Sequence, residues 1–179
     1  GGGGVVGTEV AARSQPDGYT LLMATLSNAV INPLVSRVSY DPIRDFTAIA
    51  HTSTVPLILV VHPSIPVKSV KEFIAYARSP AARVNFASSG EGAANHLAAE
   101  LFKNSTGVSM THVPYRGGGL AIIDLVAGHV QMGFMNILEA LPHVNAGRLT
   151  GLAVSTPKRS AVAPAIPTVA EAGVPGYEV

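Results

Sequence analysis

From Ser69 onward the chain alternates short apolar runs with helical patterns at nearly even spacing, which limits its fold more than any other feature. Ser69 reads as the cap of a helix over 70–77, with Glu72 three residues on completing a capping box. Strand 84–87, helix 93–103, strand 110–113, helix 120–127, strand 130–134, helix 137–145 and strand 149–154 follow in order. Gly107, Gly128 and Gly147 each stand just past a helix, where a left-handed C-cap favours glycine. Strands separated by helices of this length imply βαβ units and a mainly parallel sheet flanked by helices, hence an α/β fold.

Two of the strand-to-helix junctions are made of small residues. Ser88, Ser89, Gly90, Glu91 and Gly92 follow one strand, and Tyr115, Arg116, Gly117, Gly118 and Gly119 follow the next. Each places a helix start beside a loop nearly free of bulk, and the unpaired N–H groups there attract anions. Ser88 and Ser89 could donate hydroxyls to a bound carboxylate or simply cap the helix after them. Arg116 could grip a carboxylate bidentately. Equally, it could point to solvent while the glycine amides make the site. The chain reads as a binder of small anionic molecules.

Composition removes other classes. Only 13% of the 179 residues are charged, about half the usual ~25%. A net charge of +1 without a basic cluster argues against nucleic acid. Mean hydropathy is +0.35, yet no apolar run nears the roughly 20 residues of a membrane span. Absence of cysteine excludes disulfides and thiolate chemistry. The six histidines lack metal-ligand spacing, so no metal or cofactor is expected. His96, in the first turn of its helix, reads as packed against a loop carbonyl or as a ligand contact. Gly2-x-Gly4-x-x-Gly7 has dinucleotide spacing but lacks the preceding strand and the acidic partner. No Gly-x-Ser-x-Gly and no acid–base pair accompanies the serines, so the chain is not expected to be an enzyme.

The first 61 residues are less regular. A helix is expected over 5–13, a turn at Pro16-Asp17-Gly18, and strands over 19–24, 46–51 and 57–61. After Ser155 prolines and glycines leave turns and one short helix over 168–172. The opening on four glycines and the unfinished run Tyr177-Glu178-Val179 read as a piece of a longer chain.

A series of segments resembles the Bug receptors, the extracytoplasmic solute-binding proteins of tripartite tricarboxylate transporters. Among them are Pro16-Asp17-Gly18-Tyr19-Thr20, Tyr40-Asp41-Pro42, Phe86-Ala87-Ser88-Ser89-Gly90, His112-Val113-Pro114-Tyr115-Arg116-Gly117 and Pro167-Thr168-Val169-Ala170-Glu171-Ala172-Gly173. The resemblance implies a two-lobed periplasmic binding fold, each lobe a mainly parallel sheet flanked by helices. Residues 1–55 would belong to an incomplete first lobe, 56–176 to the second, and 177–179 to a return crossing. It implies ligand contact by Thr25 and Ser27 from the first lobe, and by Ser88, Ser89, Gly90, Tyr115, Arg116 and Gly117 from the second. Met135 stands where relatives often carry an aspartate, so a ligand ammonium group would lack that partner. Expected partners are a small carboxylate and membrane transporter subunits, with no nucleic acid, in the periplasm, and a monomer is the default. Two other readings stay open: an α/β enzyme acting on a small acid through Ser88 or His96, and a ligand sensor for a membrane signalling partner.

Overall fold

Val and Ile side chains that alternate along residues 57–61 have nowhere to go but the two faces of a buried strand, and that strand organises the sheet. The computed structural model describes residues 2–179. Its strands are β1 (Leu57–Val61), β2 (Asn85–Ser88), β3 (Thr111–Pro114), β4 (Met132–Asn136) and β5 (Thr150–Val154), in spatial order β3-β2-β4-β1-β5. β2 pairs in parallel with β3 and with β4, as βαβ connections require. β1 is antiparallel to both β4 and β5, so the sheet is mixed, although four of its strands still point the same way. The reversal has a simple cause. Among the described residues β1 enters from the irregular first segment, with no strand before it to set its direction through a helical crossover.

The helices are α1 (Val5–Ala12), α2 (Asn32–Val35), α3 (Val70–Ala77), α4 (Ala94–Thr106), α5 (Gly118–Val126) and α6 (Ile137–Asn145). Their ends follow the predicted chemistry. Gly107, Gly128 and Gly147 have φ of +67°, +79° and +68°, the left-handed region that glycine enters without steric cost. Ser69 Oγ accepts from Glu72 N–H at 3.2 Å. The Glu72 carboxylate reaches one residue further back than expected, accepting from Lys68 N–H at 2.8 Å. A reciprocal box closes instead at Thr168 and Glu171, each side chain accepting the other's N–H at 3.0 Å. The helix expected there stops after one turn, because Gly173 turns to φ +115° and Pro175 follows.

Side chains of the sheet alternate between two cores. Phe86 and Phe134 face α3 and α4 and meet Phe73, Phe102 and Tyr177, all fully or almost fully buried. Ile58, Val60, Ala87 and Met135 face α5 and α6 and pack on Ile122, Leu125 and Ile137. Tyr177 therefore belongs to the main core, its hydroxyl donating to Ala98 O at 2.8 Å. Only beyond it does the chain run along the sheet edge, where Val179 N–H donates to Ser155 O at 3.1 Å.

The strands expected over 19–24 and 46–51 do not form. Both stretches are extended or irregular, and a strand without a ladder partner has no structural identity. Just beyond the second stretch, Thr52 Oγ1 lies 3.7 Å from Met23 Sδ. Tyr19, Leu21, Met23 and Ile49 stand largely exposed.

Candidate functional site

β2 and β3 lie side by side, point the same way, and hand the chain to helices on opposite faces of the sheet. At such a switch the two loops diverge and leave a crevice at the carboxyl edge of the strands. Loops 88–92 and 115–119 lie at that edge, joined by Tyr115 N–H donating to Ser88 O at 3.0 Å. The first intrahelical bond of α4 is Leu97 N–H to Ala93 O, and that of α5 is Ala121 N–H to Gly117 O. Each helix thus begins with three N–H groups lacking a helical acceptor. On α4 one of the three, Ala94 N–H, is taken by Ser27 Oγ at 3.0 Å. Those of Asn95 and His96, and of Gly118, Gly119 and Leu120, face outward from the helix starts.

The structure distributes the expected site residues unevenly. Ser88 is fully buried, and its Oγ lies 3.1 Å from Gly90 O, 3.1 Å from Gly90 N and 2.6 Å from His112 Nε2. It shapes the loop from within. Ser89 N–H and Oγ both donate to Asn95 Oδ1, at 3.2 and 3.0 Å, so Asn95 closes this turn from α4. Gly90 has φ +135°, and a side chain there would meet Tyr115 O at 3.5 Å. Gly117, at φ +122°, opens α5. Arg116 is exposed and makes no recorded hydrogen bond among the described residues.

Tyr115 turns away from the crevice. Its hydroxyl donates to Asp124 Oδ2 at 2.8 Å, and burial together with that carboxylate pushes the phenol up to about 12. The hydrogen bonds from Tyr115 and His129 hold Asp124 below the usual carboxylate range. Met135 is fully buried between the sheet and α5/α6, so it is core here and presents nothing to the crevice. Thr25 gives both its N–H and its hydroxyl to Asn28 Oδ1, at 2.6 and 3.2 Å.

Ser27 and Asn32 show how the first segment sits over the crevice. Ser27 caps α4, and Asn32 Nδ2 donates to Gly3 O at 2.9 Å. A side chain at Gly92 would meet Asn32, Val35 and Ile31 within 4 Å, and one at Gly90 would come 3.9 Å from Gly3 N. The four opening glycines are described from Gly2 on, Gly1 lying outside the described residues. Further along the same sheet edge, a groove of about 540 Å³ runs between Ser53, Thr54, Val55 and Pro56, the start of α6, and residues 156–162. Its walls are mostly apolar. The α5 end of the crevice has an acidic rim, since a Cβ on Gly118 would fall 2.8 Å from Glu139 Oε2.

Two histidines complete the site. His96 Nδ1 accepts from Gly92 N–H at 3.1 Å, a backbone amide where the sequence pattern suggested a carbonyl. His112 stacks on His96 with ring centroids 3.9 Å apart and on Phe86 at 4.8 Å. Phe86 and His112 are register partners across β2 and β3, a neighbourhood that nothing in the linear sequence announces. Burial, reinforced by the charge His96 can carry, keeps His112 below the ordinary histidine value of 6.5. The Ser88–His112 contact is not a catalytic dyad: the serine is sealed in and no carboxylate orients His112 among the described residues. No cluster of metal-ligating groups occurs among them either, and no helix is long and apolar enough to cross a membrane.

A mixed α/β sheet whose parallel strands hand the chain to glycine-flanked helix starts on opposite faces is an architecture in which ligands bind at the switch point. Comparison with known proteins makes the class specific. The model of the tripartite tricarboxylate transporter family receptor, TctC, matches residues 1–179, and the chain belongs to this family. The family is one of transport receptors, in agreement with the expectation that the chain is not an enzyme. It is 37% identical to protein BugT of Bordetella pertussis over 179 residues, covering 99% of the chain and 55% of BugT. Among solved structures it is similar to Rhodopseudomonas palustris Rpa4515 with adipate, at a TM-score of 0.96 and 40% identity over the whole chain and 60% of that protein. MatC from the same species, with bound malate, has a TM-score of 0.89 at 31% identity, over the whole chain and 60% of MatC. The chain spans a little more than half the length of the curated relatives it matches.

Proposed function

We propose that this chain captures a small carboxylated metabolite in the crevice between loops 88–92 and 115–119 and presents it, in the periplasm, to a tripartite tricarboxylate-type transporter. The observation that carries the reading is the set of outward N–H groups at the starts of α4 and α5. Amide donors on glycine-flanked helix starts hold carboxylate oxygens without a fixed counter-charge, so the same loops suit several acids. Residues 1–55 would form part of a first lobe, 56–176 the second, and 177–179 the start of a return to the first. Closure of the lobes would expel water and strengthen each hydrogen bond to the acid. The apolar groove beside α6 would receive the carbon skeleton.

A thermal-shift panel on the receptor carrying both lobes tests this. It would hold adipate, malate, succinate, citrate, glutamate and benzoate, with adipamide as the uncharged control. An acid present at about 100 times its dissociation constant stabilises by roughly 2.7 kcal/mol, a rise of several degrees. A rise with one acid and none with its amide is expected. No rise with any acid would sink the carboxylate reading.

A further inference from the structure

His96 Nδ1 can accept the Gly92 N–H only while the ring is neutral with its proton on Nε2, the nitrogen that faces Glu100 Oε1 at 4.0 Å. His112 Nε2 can donate to Ser88 Oγ, which then accepts from Gly90 N–H and gives its own proton to Gly90 O. Those three bonds use the hydroxyl's ordinary capacity. One ring therefore fixes the far end of loop 88–92 and the other its near end. The rings themselves lie face to face at 3.9 Å with planes 13° apart, a spacing at which two imidazolium charges repel strongly.

We propose that His96 and His112 are paired positioning residues for the anion-binding loop, holding it in binding shape while both rings are neutral and releasing it when the pair takes up a proton. A proton on His96 Nδ1 would set donor against donor at Gly92 N–H. A second proton, on His112, would set two imidazolium charges face to face and push the rings apart. The charged groups around the pair are few. Glu100 and Lys103 lie on α4 and bridge each other at 2.7 Å, and Lys103 Nζ also sits 5.6 Å from the Phe86 ring. Glu91 lies in the loop itself. Burial and the second ring resist protonation of His112, while Glu100 and Glu91 pull weakly the other way. Charging of His112 therefore belongs to pH values below the ordinary histidine range, and the loop is held while both rings stay neutral.

The coupling to affinity rests on the proposed function, but the loop's response does not, and two measurements separate them. On the receptor carrying both lobes, ring ¹⁵N shifts of His96 and His112 and the amide signals of Gly90 and Gly92 are followed from pH 8 to pH 5. Nδ1 of His96 is expected unprotonated at pH 8, with the Gly92 amide moving at the ring's own midpoint. His96→Asn, whose side-chain oxygen can replace Nδ1, should flatten that response. His96→Phe, which keeps the stack and loses the acceptor, should leave Gly92 in its released position at every pH. A proton on Nδ1 at pH 8, or a Gly92 amide indifferent to the His96 titration, would overturn the assignment. Calorimetry with adipate at pH 8 and pH 6 then reads affinity. A weakening of about twofold at the lower pH is expected in the parent protein and none in His96→Asn. Equal weakening in both would refute the coupling. Should adipate fail to bind at any pH, the choice of that acid fails, while the amide titration still decides whether the pair positions the loop.

Discussion

The Ser88 hydroxyl holds loop 88–92 together from inside. Its residue type and its place at a strand end suggested a hydroxyl offered to a carboxylate. In the fold it is fully buried and tied to Gly90 and His112. Replacing it with alanine would leave the Gly90 N–H and a histidine nitrogen buried without partners, at a cost of about 1–3 kcal/mol. Ser88→Ala should therefore lower the urea midpoint of the ligand-free protein at pH 8, before any acid is added. Unchanged stability with lost carboxylate affinity would return Ser88 to the ligand. Ser89, half-buried and bound through Asn95, is the hydroxyl with room to turn outward. The family resemblance puts Tyr115 and Met135 at the ligand, but side chains alternate along a strand. That alternation sends the Tyr115 ring onto α5 and Met135 into the core.

At the scale of elements, what was readable from sequence had local causes and what was not had distant ones. α3 to α6 begin and end within a few residues of expectation, because caps, glycines and apolar period are written next to one another. Ser69→Ala is expected to cost α3 about 1 kcal/mol through loss of the acceptor for Glu72 N–H, read as a lowered urea midpoint. No change would mean that Lys68 and Glu72 alone hold that end. The orientation of β1 had no local signal: its direction depends on what it pairs with, and β4 lies about 75 residues away. Runs 19–24 and 46–51 have strand composition and no partner, so propensity alone misleads there. The His96–His112 stack belongs with these long-range facts. It exists because β2 and β3 pair in a register that sets Phe86 opposite His112.

Across the whole molecule the two ends of the chain differ in how far they bury themselves. The sheet and its helices enclose Met132 and Met135 completely, whereas Tyr19, Leu21, Met23 and Ile49 stand in the open, Met23 at 69% exposure. Side chains of that size in one extended region amount to the kind of apolar surface that another part of a protein normally covers. If residues 1–55 belong to a first lobe, the remainder of that lobe should lie over this region in the receptor carrying both lobes. Mild peroxide treatment followed by peptide mass spectrometry reads this directly, because sulfoxidation follows solvent access. In that receptor Met23 is expected to oxidise as slowly as Met132 and Met135. Oxidation of Met23 at the rate of a free methionine would show the region bare, and the division of the chain into lobes at residue 55 would have to be redrawn. A carboxylate added before the peroxide should not alter Met23, since its protection would come from the lobe itself and not from closure over the crevice.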